Sequence, residues 1–172
     1  MFRHKKFILR VVGAALLSIM LPAACFAEFK QGERLPDLDS FHLEGKLPEN
    51  LKGQVILLDF WASWCGPCKV SFPAMEELNK KYTSQGLAIV AVSVDEKKEN
   101  MERYLKTAKV SFTVVRDAQK KLVAAADIKA LPTSLVIDRA GKIRFIHVGF
   151  NRDETPGEYV KEIEQLLGEP KP

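Results

Sequence analysis

Residues 59–69 read DFWASWCGPCK, and this stretch places two cysteines, Cys65 and Cys68, between a predicted strand and a predicted helix. The strand, residues 55–60, is a run of mostly branched and aliphatic side chains after Gly53, which is typical of a strand buried on both faces. The helix, residues 67–85, carries apolar side chains every three or four positions, with a kink expected at Pro73. The cysteines therefore lie at a strand-to-helix junction.

The chemistry of the cysteine pair follows from this position. Unpaired N–H groups and the dipole at a helix N-terminus favour negative charge, which lowers the pKa of the Cys65 thiol and makes Cys65 the nucleophile. Cys68, one turn into the helix, can attack the mixed disulfide that Cys65 forms and release the reduced partner. Pro67 costs no hydrogen bond in the first helical turn and fixes the geometry of the pair. The pattern predicts a redox-active dithiol.

Other uses of the pair fit the sequence less well. A passive disulfide that closes so small a ring restrains little unfolded-chain entropy. A structural zinc site needs four ligands, and neither His42 nor His147 shows ligand spacing. Haem attachment requires a histidine directly after the second cysteine, where this chain has Lys69. We therefore expect no metal and no cofactor beyond the redox-active disulfide of Cys65 and Cys68.

The rest of the chain alternates predicted strands with predicted helices. Residues 28–50 indicate an extended lead-in with a possible hairpin, and residues 139–142 a turn between the last two strands. The further strands are predicted at residues 87–94, 110–115, 134–138 and 143–148, and the further helices at residues 99–108, 119–126 and 156–167. This order predicts an α/β fold in which helices flank a mixed central sheet.

Length and charge narrow the functional classes. The 172 residues are enough for about one domain, and 47% apolar residues allow a buried core. The formal charge of +4 comes from four basic residues among the first ten, because the remaining 22 basic residues balance 22 acidic ones. A neutral body without a basic block argues against nucleic acid as a partner.

The first 27 residues have the layout of a secretory signal peptide. Basic residues precede an apolar stretch at 11–21, Pro22 interrupts it, and small residues end at Ala27. We expect cleavage after Ala27, which leaves residues 28–172 as the folded domain; a retained membrane anchor and lipidation at Cys25 are the alternatives. Export would place Cys65 and Cys68 in an oxidising, extracytoplasmic or periplasmic compartment.

The stretch from Asp59 to Lys69 resembles the active site of thioredoxin almost position by position. Pro73 matches the helix-kinking proline of that family, and Pro132 matches its cis-proline. The surplus length around residues 96–115 resembles the inserted helix of exported thiol-disulfide oxidoreductases of the TlpA and ResA type, as do the N-terminal extension and the leader. The resemblance implies a thioredoxin-like fold with a central inserted helix.

The resemblance also implies roles for single residues. Asp59, on a strand that should be buried, is expected to have a raised pKa and to accept the Cys68 proton through water, as a third catalytic residue beside the cysteines. Trp61 is expected in the core. The residues expected to contact an extended substrate chain are Trp64, Gly66, Pro67, Leu131, Pro132 and Gly149.

The function implied is reduction of disulfides in partner proteins, such as apocytochrome c or copper-site proteins. Electrons would come from a membrane donor of the DsbD or CcdA type, and a monomer is expected. Residues 130–133 depart from the segment common in dedicated cytochrome c maturation proteins, which does not support that narrower assignment. A disulfide-donating oxidase and a copper(I) metallochaperone stay as alternatives. A thiol peroxidase is disfavoured because Leu58 and Ala62 replace its usual proline and hydroxyl residue.

Overall fold

The computed structural model describes residues 29–171, so the predicted leader lies outside the described residues. Five strands form one sheet: β1 (Val55–Trp61), β2 (Leu87–Ser93), β3 (Thr113–Arg116), β4 (Thr133–Ile137) and β5 (Ile143–Val148). Four α-helices accompany them: α1 (Gly66–Tyr82), α2 (Lys98–Ala108), α3 (Lys121–Ala125) and α4 (Thr155–Gly168).

The sheet is mixed, in the order β3-β2-β1-β4-β5. β1 pairs in parallel with β2, and β2 with β3, whereas β4 is antiparallel to both β1 and β5. The predicted α/β fold with a mixed sheet is thereby confirmed, and α2 is the helix that intervenes between β2 and β3. No helix within residues 29–171 has the length and hydropathy to cross a membrane.

The two faces of the sheet are covered by different parts of the chain. Every residue of β1 is buried, and its alternate side chains enter two separate clusters. Leu57 and Trp61 pack with α1 and α4, in the cluster that also holds Cys65 and Cys68. Leu58 and Phe60 point to the opposite face, against α3 and the N-terminal segment.

The predicted N-terminal hairpin is wrong for the described part of that segment. Backbone bridges join Arg34 to Lys142 beside β5, and Glu44 to Arg116 on β3. Residues 38–41 between the bridges form a 3-10 turn instead of a strand. The segment therefore crosses one face of the sheet and pairs with both of its edges.

Two element boundaries differ from the prediction for local reasons. β3 begins at Thr113 instead of residue 110, because the N–H and hydroxyl of Ser111 donate to the Glu76 carboxylate and not to a neighbouring strand. α3 begins at Lys121 instead of residue 119, because Lys120 has a left-handed backbone with φ of 57°. Polar side chains of neighbouring elements decide both boundaries.

Candidate active site

Cys65 and Cys68 form a disulfide at the N-terminus of α1, with an S–S distance of 2.03 Å. Cys65 is the N-cap residue, and the backbone N–H of Cys68 donates to its Sγ at 3.2 Å. Cys65 is 5% exposed, whereas Cys68 is completely buried. Cys65 thus keeps a small exposed fraction and its sulfur accepts a hydrogen bond at the helix N-terminus, whereas Cys68 is shielded from solvent.

The loop before Cys65 is fixed by a buried carboxylate that sequence reasoning missed. Asp95 accepts hydrogen bonds from the Ser63 backbone N–H at 2.9 Å and from the Ser63 hydroxyl at 2.7 Å. The Ser93 hydroxyl donates to the same carboxylate at 2.8 Å. An acidic residue directly after a parallel strand was the available signal, because the carboxyl ends of such strands meet at one edge of the sheet.

Asp59 lies at the centre of the sheet, opposite Ser134 on β4 and Ala91 on β2. Its side chain is fully buried, and the strand alternation puts it on the face that packs with Cys68. Oδ1 accepts a hydrogen bond from the Ser134 hydroxyl at 2.6 Å, while Oδ2 has no hydrogen-bond partner within the described chain.

Burial raises the pKa of Asp59 from 3.8 to about 7, and the hydrogen bond from Ser134 partly opposes that shift. A carboxyl group with a pKa near neutrality can hold or release a proton under physiological conditions. The expected rise in the pKa of Asp59 is therefore present, with desolvation as its main cause. Its part in the proton transfer stays a prediction.

An open groove of about 570 Å³ runs past the disulfide. Its wall includes Trp64, Cys65, Gly66 and Pro67 on one side and the segment from Ile128 to Leu131 on the other. Trp64 is 69% exposed, and so forms an apolar surface next to Cys65. The Leu131–Pro132 peptide bond is cis, as the resemblance implied, and Pro132 itself is buried.

Gly149 is placed apart from that groove. It lines a second depression between β5 and α4, and its N–H donates to the Pro132 carbonyl at 2.7 Å. Its φ of 84° is the left-handed conformation that favours glycine. Gly149 therefore supports the cis-proline loop from behind, and its contact with substrate stays a prediction.

Trp61 lies in the core, as predicted. Its ring centroid is 4.6 Å from that of Phe72 and 5.4 Å from that of Tyr104. Because Phe72 is on α1 and Tyr104 on α2, this aromatic cluster joins the helix that carries the cysteines to the inserted helix. Within residues 29–171 no group of three metal-ligating side chains comes together.

Sequence comparison assigns the chain to a family. Residues 30–167 match the Redoxin family. The ResA thiol-disulfide oxidoreductase of Geobacillus thermodenitrificans is 31% identical over 172 residues, which cover 95% of this chain and 99% of the relative. The ResA protein of Bacillus subtilis is 37% identical over 132 residues, 74% of each chain.

Structural comparison agrees with this assignment. A crystal structure from Chlorobium tepidum, described as a thiol:disulfide interchange protein DsbE, superposes with a TM-score of 0.74 at 35% identity. The match covers 81% of this chain and 99% of that one. The fold is therefore thioredoxin-like. The chain belongs to the Redoxin family, as a thioredoxin-like thiol-disulfide oxidoreductase similar to ResA.

Proposed function

We propose that this protein reduces disulfide bonds in other proteins outside the cytoplasm. The observation that carries the proposal is the asymmetry of the two sulfurs: Cys65 lines an open apolar groove at a helix N-terminus, and Cys68 is fully buried behind it. Such an arrangement favours attack by one cysteine on a partner and resolution by the other. Trp64 and the backbone of Leu131 supply a surface along which an extended substrate segment binds.

The reaction proceeds in two exchange steps. In the first, the Cys65 thiolate attacks one sulfur of the substrate disulfide, a mixed disulfide forms, and the other substrate sulfur leaves as a thiolate and takes a proton. In the second, Cys68 loses its proton and attacks the Cys65 sulfur, which releases the second substrate thiol. Two electrons pass to the substrate, and the Cys65–Cys68 disulfide is the product on the protein.

Asp59 is the proposed acceptor of the Cys68 proton. Its burial on the face of Cys68, its pKa near 7 and the lack of a hydrogen-bond partner for Oδ2 within residues 29–171 suit a group that takes up a proton at neutral pH. Transfer through a water molecule is part of the proposal.

The partners are proposed from the resemblance and from the chemistry of the site. We expect protein substrates with accessible disulfides, of the kind found in apocytochrome c or copper-site proteins, and a membrane donor of the DsbD or CcdA type that restores the dithiol. A reductase in an oxidising compartment needs such a supply of electrons, because its resting product is a stable disulfide.

Trapping tests the substrate. The Cys68→Ser variant should accumulate a mixed disulfide between Cys65 and the bound partner, since the second step is blocked. The Cys65→Ser variant is the matched control and should trap nothing. Free monomer alone from both variants, after alkylation under non-reducing conditions, would contradict the proposal.

The reduction potential of the Cys65–Cys68 pair tests the direction of electron flow. Equilibration against thiol buffers should give a value near that of thioredoxin, about −270 mV. A value near about −120 mV would identify a disulfide donor instead.

A further inference from the structure

A buried chain of two hydroxyl groups ends on Asp59. The Tyr159 hydroxyl, on α4, donates to Ser134 Oγ at 2.7 Å, and Ser134 Oγ donates to Asp59 Oδ1 at 2.6 Å. All three residues are completely buried. These two hydrogen bonds join β1, β4 and α4 on the face of the sheet that carries the disulfide.

The direction of these hydrogen bonds is set by proton count. An ionised carboxylate can only accept, so Ser134 must use its single proton toward Asp59 Oδ1. Ser134 then has only lone pairs left for Tyr159, whose proton completes the chain. Oδ1 is thus occupied as an acceptor, and Oδ2 is the oxygen of Asp59 at which a proton can be gained without breaking the chain.

In the part of the protein that the structure describes, few ionisable groups surround these two hydroxyls and Asp59. β2 places Ala91 beside Asp59, and α1 contributes Cys68 to the same cluster. Burial raises the pKa of Tyr159 above its ordinary value, and the charge of Asp59 raises it further. The carboxylates of Glu162 and Glu158, on the outer side of Tyr159, act in the same direction. His147 packs edge-on against the Tyr159 ring and contacts both glutamates. Tyr159 therefore stays protonated and keeps its role as a donor.

We propose that Ser134 and Tyr159 are positioning residues for Asp59, which hold its Oδ1 in a hydrogen bond and direct proton exchange to Oδ2. This inference rests on the proposed function, in which Asp59 accepts the Cys68 proton. The two hydroxyls favour the ionised form of a carboxyl group that burial would otherwise keep neutral. They thereby set the pH above which the second exchange step is fast.

Removal of the Ser134 hydroxyl gives the largest expected change. A hydrogen bond to a charged group is worth roughly a ten-fold change in the acidity of Asp59. With a pKa of about 7, half of Asp59 is ionised at pH 7, and a ten-fold loss of acidity leaves about one tenth ionised. We therefore expect the second step in Ser134→Ala to be about five-fold slower at pH 7 and close to normal at pH 9.

The experiment uses the full chain, reduced beforehand to the Cys65 and Cys68 dithiol and freed of reductant, and a small aromatic disulfide that releases thionitrobenzoate at each exchange step. The first equivalent reports attack by Cys65, and the second reports attack by Cys68. Both are followed by stopped flow between pH 6 and pH 9, and the titration of Asp59 is followed by carboxyl carbon NMR. Tyr159→Phe should shift the pH profile of the second step and the titration of Asp59 in the same direction as Ser134→Ala, by about two- to three-fold in acidity. Ser134→Thr, which keeps a hydroxyl group, should give the profiles of the unmodified protein.

Tyr82→Phe is the matched control, because it removes the hydroxyl of another buried tyrosine, which donates to Glu164 at 2.5 Å and lies outside the hydrogen bonds to Asp59. This variant should leave the pH profile of the second step and the titration of Asp59 unchanged. An Asp59 titration midpoint that is the same in Ser134→Ala as in the unmodified protein would overturn the inference. A shifted midpoint with an unchanged second step would uphold the positioning of Asp59 and refute its role as proton acceptor.

Discussion

Replacement of Asp59 by asparagine should stabilise the oxidised protein at neutral and alkaline pH. Asp59 is fully buried, it has one hydrogen bond on Oδ1, and Oδ2 has none within the described chain. Ionisation of such a group in the folded state costs free energy that the unfolded chain does not lose. The Asp59→Asn variant removes that charge and keeps the shape of the side chain.

The size and sign of the effect follow from the pKa. The pKa of Asp59 rises from 3.8 to about 7 on folding, which corresponds to about 4 kcal/mol at about 1.4 kcal/mol per unit. The folded state binds the extra proton between these two values, so the stability of the unmodified protein falls as pH rises from about 4 to about 7. The new amide N–H₂ lies where Oδ2 was and lacks an acceptor, which costs about 1–3 kcal/mol at every pH. A net gain of about 1–3 kcal/mol should therefore appear above pH 7.

Guanidinium unfolding of both oxidised proteins between pH 4 and pH 9, followed by circular dichroism, measures this difference. The free energy of unfolding of Asp59→Asn relative to the unmodified protein should rise by about 4 kcal/mol as the pH increases from about 4 to about 7, and then stay constant. Asp153→Asn, which changes an exposed aspartate, controls for the loss of charge alone. A difference that is flat across the whole pH range would refute the argument.

Three further predictions concern the surroundings of the cysteines. Trp64→Ala should change the free energy of unfolding by less than about 0.5 kcal/mol, because the side chain is 69% exposed, yet slow reduction of a protein disulfide more than reduction of a small aromatic disulfide. Asp95→Asn should cost about 2–3 kcal/mol in denaturant unfolding, since an amide cannot replace both acceptors that hold Ser63; an unchanged midpoint would argue against this role. Gly149→Ala should cost about 1 kcal/mol from backbone conformation alone, because an added Cβ meets no atom within 4 Å, whereas the helical Gly157→Ala, equally open, should not destabilise.

The sequence predicted best those elements whose signal is local. β5 was predicted with the boundaries that the structure has, because a turn at residues 139–142 precedes it. β1 and β2 were each predicted to within one residue, because runs of buried branched side chains mark these two strands. β3 was not, because Ser111 donates to Glu76, a residue 35 positions away. No pattern of apolar residues near Ser111 reports that contact.

The same distinction applies to the site. Cys65, Cys68 and Pro67 lie within one turn, and their arrangement follows from a single helix N-terminus. Asp59 depends on Ser134, which lies 75 residues away on an antiparallel strand. Ser134 is a polar residue in a strand that is buried throughout, and this was the available signal, but its partner depends on the register between β1 and β4.

The alternation of side chains along β1 explains why the site and the N-terminal segment lie on different faces of the sheet. Side chains alternate along β1, so Asp59 and Trp61 face α1 and α4, while Leu58 and Phe60 face the segment that begins at Phe29. That segment forms backbone hydrogen bonds with both edges of the sheet, at Ile143 and at Arg116, and within residues 29–171 none of its backbone hydrogen bonds involves Cys65 or Cys68. The segment that covers the sheet edges and the cysteine pair thus lie on opposite faces of the sheet. We therefore expect sequence change in residues 29–50 to alter the free energy of unfolding more than the distances around Cys65 and Asp59.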